Sequence, residues 1–167
     1  MVDKLSNSIQ SRVTGESFGT SITLLTRRDL ADVPKKHGWN FDWRIEMRQP
    51  KREVYKLTLS AGDDLIQGLI SLEIKPDHVY IHLIESAPNN KGRCKVYLGV
   101  PGNLIAFACR VSFQNGFKGN VAFHSKTLLI RHYVESIGAF HAGGSLMIIE
   151  TGAALDLIRR YFKFDTL

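Results

Sequence analysis

The sequence predicts a mixed α/β fold, in which an antiparallel strand meander is followed by strand-helix-strand-helix-strand-helix. Runs of alternating apolar residues separated by short turns cover residues 53–86, the pattern of consecutive antiparallel strands. A largely apolar segment at helical spacing then follows the glycine-rich turn GVPG at 99–102. Strand-like and helical patterns alternate over residues 121–162. Because a strand-helix-strand connection joins parallel strands, we expect a mixed sheet with helices on its faces.

The N-terminal third carries the weakest signals. Residues 1–16 are polar and lack periodicity, which predicts a flexible N-terminal arm before a single domain over residues 17–167. SITLLT at 21–26 predicts a first strand. The segment DLADVPKKHG breaks at Pro34 and Gly38 and leaves room for one short helix at most.

Alternating aromatic residues follow in WNFDWRIE. They are Trp39, Phe41 and Trp43. Aromatic side chains at this spacing most often pack into a core, and we expect the same here.

The meander contains three predicted strands. EVYKLTLS at 53–60 alternates apolar and polar residues, the pattern of a half-exposed strand. The turn AGDD leads to DLIQGLISLEI, whose apolar residues recur on one face. After the turn KPDH, the third strand at 78–86 is more uniformly apolar, which indicates a central position in the sheet.

Three helices are predicted in the second half of the chain. The helix after GVPG is apolar on both sides, so we expect it to be largely buried until an Asn-Gly pair ends it. TLLIRHYVESIG at 127–138 is an amphipathic helix, with a glycine as its C-terminal stop. AFHAGGSLMIIE forms a hairpin or one bent strand, and Thr151 caps a last helix that runs to about Phe162.

Composition excludes several classes of protein. A hydrophobic fraction of 44% argues against disorder, and no apolar run approaches the ~18 residues of a membrane span. The first residues lack the apolar segment of a signal peptide. Cys94 and Cys109 lie far apart and form no metal or redox spacing. We therefore expect a cytoplasmic protein that does not enter the membrane.

The net charge of +6 is compatible with a polyanionic cofactor, an acidic lipid or a nucleic acid. The basic residues are scattered, apart from the cluster RIEMRQPKREVYK at 44–56. We interpret that cluster as a solvated loop and strand start. A nucleic-acid partner is therefore disfavoured at this point, although it stays open.

The GVPG turn is the strongest local indication of a binding site. A helix N-terminus presents unpaired amides and a partial positive charge, which attract phosphates. Gly99 and Gly102 permit close approach to the backbone, and Pro101 suits the first helical turn. By itself the turn is compatible with a pyrophosphate cradle and with an ordinary glycine-rich helix start. It matches neither GxxxxGK[ST] nor GxGxxG.

The order of elements resembles the GNAT superfamily of acyl-CoA-dependent N-acetyltransferases over roughly residues 53–162. The superfamily's pyrophosphate loop has Arg or Gln, two residues, Gly, one residue, then Gly or Ala. With Gly99 as the first glycine, Val96 and Pro101 depart from that pattern. In an alternative register, PNNKG at 88–92 resembles the P-x-x-R-G that often leads into the loop.

A second motif lies in the helix KTLLIRHYVESIGAF. It resembles the superfamily pattern N-x-x-A-x-x-x-Y-x-x-x-G-F, with Tyr133 at the tyrosine and Gly138 at the glycine, one residue further along than in the pattern. Lys126 stands where the pattern has Asn.

The resemblance implies acetyl-CoA as co-substrate and a set of residues that bind it. Its pantetheine arm would lie between the third strand and VAFHS, held by backbone groups next to Glu85. The residues implied in cofactor binding are Leu83, Ile84, Lys91, Gly92, Gly99, Val100, Gly102, Asn103 and Lys126.

Two catalytic residues are implied as well. Glu85 would act as general base and Tyr133 as the acid that protonates the thiolate. A surface carboxylate and a core aromatic are the respective alternatives. His82 and His124 lie on neighbouring predicted strands and are a second choice of base. No histidine spacing indicates a metal, and we expect none.

The expected function is transfer of an acetyl group from acetyl-CoA to an unidentified primary amine. The alternative is a catalytically weak module on the same fold that binds acyl-CoA or nucleic acid. A third reading, transfer to an RNA-borne amine, follows toxin-type members of the superfamily. The acceptor stays open, and a homodimer is compatible with the sequence.

Overall fold

The computed structural model describes residues 8–162. Its strands are β1 (Ser8–Ser11), β2 (Ser17–Leu24), β3 (Arg52–Leu59), β4 (Gly68–Ile74), β5 (Val79–Ser86), β6 (Tyr97–Leu98), β7 (Val121–His124), β8 (Phe140–Gly143) and β9 (Leu146–Ile149). Its α-helices are α1 (Trp43–Met47), α2 (Val100–Gln114), α3 (Ile130–Ile137) and α4 (Thr151–Tyr161). Short 3₁₀ turns occupy Asp29–Asp32, Lys35–His37, Pro88–Asn90 and Thr127–Leu129.

The nine strands form one sheet in the order β6-β1-β2-β3-β4-β5-β7-β9-β8. Every neighbouring pair is antiparallel except β5 and β7, which run parallel. Helix α2 is the crossover between these two strands, as a parallel pair requires. The predicted mixed α/β fold, with its meander and central third strand, is confirmed.

The structure differs from the predicted N-terminal arm over its second half, where Ser8–Ser11 form a strand. Residues 1–7 lie outside the described residues, but β1 follows at once and pairs with both β2 and β6. Ile9 on β1 is only 2% exposed and joins the main core. A strand of four residues with one buried apolar side chain leaves no periodicity in the sequence, so its partners alone reveal it.

The segment between β2 and β3 is more structured than predicted. It contains two 3₁₀ turns and then α1, whose N-cap Asp42 accepts hydrogen bonds from the amides of Arg44 and Ile45. Trp39 and Trp43 are buried, as expected of core aromatics, whereas Phe41 between them is exposed.

The sheet has a core on each face. The larger core packs α2 and α4 against the sheet and includes Leu104, Ala108 and Leu157, all fully buried. The smaller core holds Trp39 and Trp43 on the face covered by α1. The sheet therefore separates a helical face from a face covered by residues 25–47.

Helix α2 lies unusually close to the sheet at its first turn. A Cβ added to Gly68 on β4 would lie 2.6 Å from Cγ1 of Val100, the first helical residue. Gly99 precedes the helix as its N-cap with φ of +89°, a conformation that favours glycine. The helix ends at Asn115, and its predicted burial is confirmed.

The C-terminal elements agree with the sequence in type. Gly138 in the left-handed conformation ends α3, and residues 140–149 form the hairpin. Thr151, however, is the first residue of α4, and Glu150 stands at the cap position; the Thr151 hydroxyl donates to the carbonyl of Lys118 at 2.7 Å. Within residues 8–162, no helix combines the length and hydropathy that crossing a bilayer demands.

Candidate functional site

The site begins where β5 and β7 separate. Their parallel ladder joins Val79 to Val121 and ends at the pair Ile81–Phe123. Beyond that pair, β5 continues to its last residue, Ser86, and remains paired with β4. A cavity of about 60 Å³, here called the slot, opens at this point. Its walls are Ile81, His82, Leu83, Ile84, Ile105, Phe123, His124 and Tyr133.

A β-bulge accounts for the separation. Leu72 of β4 pairs with Ile81, and the preceding Ser71 pairs with Leu83, so His82 is an extra residue in β5. Bulges bend a strand and increase its twist. Leu83 and Ile84 follow the bulge and line the slot beyond the end of the ladder.

Tyr133 reaches the slot from α3. Its half-buried ring packs edge-to-face on Phe123 of β7, with 5.1 Å between ring centroids. Burial raises the pKa of the Tyr133 phenol above its usual value. The phenol therefore stays protonated at neutral pH, the state that a proton donor requires.

His82 has a carboxylate partner that the sequence did not indicate. Its Nε2 lies 2.7 Å from a carboxylate oxygen of Glu73 on β4. The ring of Tyr80 packs against the imidazole at 4.7 Å between centroids. Hydrogen bonds from His82 and then from Lys75 lower the pKa of Glu73 to about 2. Glu73 is thus an anion that orients His82 at the slot.

Glu85 has the contacts of a structural carboxylate. It is 4% exposed and accepts hydrogen bonds from the amides of Asn40 (2.6 Å) and Phe41 (3.2 Å). The indole of Trp43 donates a third at 2.8 Å, and the Lys91 ammonium completes the set. Burial acts to raise its pKa, but these donors outweigh burial and lower it. Glu85 does not line the slot, so its contacts disfavour the predicted role of base.

The alternative phosphate register shares that network. Lys91 binds Glu85, so its ammonium already has an anionic partner. Gly92 is exposed in the left-handed conformation with φ of +72°. In this arrangement PNNKG ties a loop to the small core, and a phosphate would have to compete with Glu85 for Lys91.

The mouth of α2 is covered by the C-terminal helix. A Cβ at Gly102 would lie 2.1 Å from Oη and 2.4 Å from Cζ of Tyr161. Gly99 lies beside the same ring, with 3.4 Å from its would-be Cβ to Cε1. Gly102 is therefore small because a tyrosine packs on it, a reason that the sequence analysis missed.

Two other residues predicted at the mouth belong to the core. Val100 is 1% exposed and packs on Gly68. Asn103 is fully buried, its amide N–H donates to the carbonyl of Gly99, and its side chain donates to Thr20. Their side chains therefore cannot receive a phosphate without disrupting the start of α2.

A second cavity of about 200 Å³ adjoins Gly99 on the β1 side of Tyr161. Gln10 of β1, Ser17 of β2 and Arg160 of α4 supply its polar lining. The Arg160 guanidinium donates to the carbonyl of Ser136 at the end of α3. Helix α4 thus adds a cation near the mouth of α2.

The remaining predicted residues lie at the end of β7. Lys126 is exposed at the turn that precedes α3. His124 lines the slot, and its Nδ1 lies 2.7 Å from the hydroxyl of Ser145. In the described part of the chain, no three His, Cys, Asp or Glu side chains come together as a metal site would require.

Solved structures of acetyltransferases share this architecture. Spermidine N-acetyltransferase from Vibrio cholerae, in complex with CoA and spermine, is 16% identical with a TM-score of 0.58, over 81% of this chain and 98% of that one. A GNAT-family acetyltransferase from Staphylococcus aureus Mu50 is 8% identical with a TM-score of 0.55, over 80% and 99%. AtaTR bound with AcCoA is 13% identical with a TM-score of 0.55, over 83% and 97%.

No protein-family model matches the chain, and no curated protein matches its sequence. The sheet order, the parallel pair and the slot between its diverging strands agree with the resemblance read from the motifs. The chain therefore has the fold of the GNAT superfamily of N-acetyltransferases.

Proposed function

We propose that this protein is an N-acetyltransferase that uses acetyl-CoA and a primary amine. The observation that carries the proposal is the slot, where β5 leaves β7 at Ile81–Phe123 and Tyr133 faces the gap. Among the similar structures, one holds AcCoA and another holds CoA with spermine. The fold and the slot support the same ligand class.

The edge of β5 beyond Ile81 suits an extended thioester arm. Leu83 and Ile84 line the slot and present backbone groups along this edge. An extended chain can add to such an edge by backbone hydrogen bonding, as peptides do in strand addition. We assign these two residues to the pantetheine arm and the apolar slot wall to the acetyl group.

His82 and Tyr133 divide the proton transfers. The acceptor nitrogen attacks the thioester carbonyl carbon, the carbon–sulfur bond breaks, and an amide and a thiol result. His82, oriented by Glu73, takes the proton that the nitrogen loses. Tyr133 gives its phenolic proton to the departing sulfur and regains one from solvent. Acetyl-CoA supplies the activated acyl group.

The diphosphate belongs on the Gly99 side of the α2 mouth in this proposal. Tyr161 covers Gly102, whereas the 200 Å³ cavity beside Gly99 also contains Arg160. A helix N-terminus and a guanidinium both favour phosphate oxygens. Lys126, exposed beyond β7, is the further cation that we assign to the cofactor.

The decisive experiment is thermal unfolding with and without acetyl-CoA. At ~100 times the dissociation constant, binding adds about 2.7 kcal/mol to stability. For a chain of this size that corresponds to roughly 5–11 °C in Tm. A folded protein whose Tm does not move at millimolar acetyl-CoA would overturn the proposal.

A catalytically weak acyl-CoA-binding module is the second candidate. The observation that favours it is Tyr161, whose ring occupies the space above Gly102. If this candidate is right, acetyl-CoA should shift the Tm, but no acetyl group should be transferred to any of a panel of primary amines.

We further propose that the protein acts in the cytoplasm, where its free Cys94 and Cys109 would stay reduced.

A further inference from the structure

The segment at residues 27–52 carries most of the excess positive charge. It contains eight Lys and Arg against four Asp and Glu, which leaves +4 of the chain's net +6 in this one stretch. We refer to it as the basic segment. Three of its apolar side chains, those of Val33, Trp39 and Trp43, are buried against the sheet, whereas Phe41 and Ile45 are exposed. Most of its charged side chains lie on the outer surface of this layer.

Seven of the eight basic side chains are exposed. They are Arg27, Arg28, Lys35, Lys36, Arg44, Arg48 and Lys51. The eighth, Arg52, forms an ion pair with the buried Glu46 at 2.8 Å. Within residues 8–162 none of the seven has a carboxylate within ion-pair distance, and Asp32 and Asp42 are the exposed carboxylates of the segment. A surface with uncompensated cations attracts polyanions.

An aromatic side chain lies among these cations. Phe41 is 38% exposed, although its neighbours Trp39 and Trp43 are buried. It lines a cavity of about 210 Å³ together with the two cations Lys35 and Arg44, the carboxylate Asp42 and the apolar Leu30. Cations beside an exposed aromatic ring are the combination that binds single strands, through phosphates and a stacked base.

The basic segment adjoins the slot. The amide of Asn40 donates to Glu85 of β5 at 2.6 Å, and Leu83, which lines the slot, packs on the core formed by Trp39 and Trp43. A chain bound across the segment would run past the end of β5. Its substituents would then lie near the opening where His82 faces the slot.

We infer that the basic segment binds single-stranded nucleic acid, with a base against Phe41 and phosphates on Lys35 and Arg44. The affinity itself depends on charge and stacking alone. The extension that the strand carries the acceptor amine to the slot rests on the proposed acetyltransferase function.

The binding test uses fluorescence anisotropy with 5′-fluorescein-labelled 20-mers of RNA and of DNA with one mixed sequence, titrated with the full chain at several salt concentrations. We expect binding that weakens with salt, by about 0.7 in the log–log slope for each phosphate contact. The double variant K35A/R44A is expected to lower the slope by about 1.4. Equal affinity for both strands would indicate a backbone-directed site, and preference for one would identify the natural strand.

A matched control removes the same charge from the helical face. R131A/R159A takes two exposed arginines from α3 and α4, and we expect it to bind like the unmodified protein. Phe41→Ala is expected to lose roughly ten-fold in affinity at constant slope, because stacking does not release counterions. Circular dichroism melts establish that each variant is folded.

Several results would overturn the inference. They are no binding at 50 mM salt, equal losses in the two double variants, or an unchanged Kd for Phe41→Ala. Displacement of the labelled strand by polyglutamate or by phosphatidylserine vesicles at equal charge would instead assign the surface to an acidic protein or a membrane. Acetyl-CoA binding by K35A/R44A is measured in parallel. If K35A/R44A no longer binds the labelled strand but still binds acetyl-CoA, the loss is assigned to this surface. If acetyl-CoA does not bind, the result counts against the proposed function and not against the strand site.

Discussion

Gly102→Ala tests the packing at the mouth of α2 by adding a single methyl group. The new Cβ would lie 2.1, 2.4 and 2.8 Å from Oη, Cζ and Cε2 of Tyr161. Non-bonded carbon atoms prefer about 3.5–4.0 Å, so the ring must move by more than ~1 Å. Overpacking of this kind typically costs ~1–3 kcal/mol.

Helix propensity acts in the opposite direction. Gly102 lies in the first turn of α2, and alanine is favoured over glycine in helices by up to ~1 kcal/mol. We therefore expect Gly102→Ala to lower the free energy of unfolding by ~0–2 kcal/mol. In a Tyr161→Ala background the clash is absent, and the same change should stabilise the protein by ~0.5–1 kcal/mol.

The assay is a double-mutant cycle by urea unfolding. It compares the unmodified protein, each single variant and the double variant, with the slope m as a check on two-state behaviour. A coupling free energy of ~1–3 kcal/mol between positions 102 and 161 is expected. If Gly102→Ala stabilises both backgrounds equally, within ~0.5 kcal/mol, then Tyr161 does not pack on the helix mouth and the assignment of Gly102 is refuted.

Three further changes test the site. Glu85→Gln should cost ~1.5–3 kcal/mol at pH 7, the range for hydrogen bonds to a charged group. Folding lowers the pKa of Glu85, so the stabilisation by its carboxylate is present above the ordinary carboxyl pKa and is lost as pH falls through the folded value. A difference in the free energy of unfolding between Glu85→Gln and the unmodified protein that persists in acid would contradict this account. Glu73→Gln should lower kcat/KM at pH 7 without weakening acetyl-CoA binding, since His82 loses the anion that orients it; an unchanged kcat/KM would exclude the pair as base. Tyr133→Phe should slow single turnover ~10²- to 10⁴-fold with unchanged Kd for acetyl-CoA, and an unaltered rate would leave the ring a packing role only.

The positions of three candidate site residues could be predicted from sequence, while their roles stay predictions. Tyr133 and the pair Leu83 and Ile84 line the slot. Each belongs to an element that its own periodicity identifies, a helix or a central strand. Once the order of those elements is known, the parallel pair follows from the connection rules.

The surroundings of two candidate bases depend on contacts between distant parts of the chain. The sequence predicts Glu85 as a base at a strand end, but donors from residues 40–43 and Lys91 surround it. The sequence shows neither the register shift beside His82 nor its partner Glu73. Neither arrangement leaves a local pattern.

The sequence by itself determined the strand meander of residues 53–86, the mixed sheet and the buried helix after GVPG, but not strand β6. These features follow from the spacing of apolar residues, glycine and proline over a few turns or strand repeats, where local physics dominates. Only the tertiary structure decided that Tyr161 rests on Gly102, that β1 joins the sheet, and that Lys35, Phe41 and Arg44 line one cavity. The physical reason is that packing partners are chosen by shape and burial across the folded chain, and no local spacing encodes which distant side chain will fill a given space.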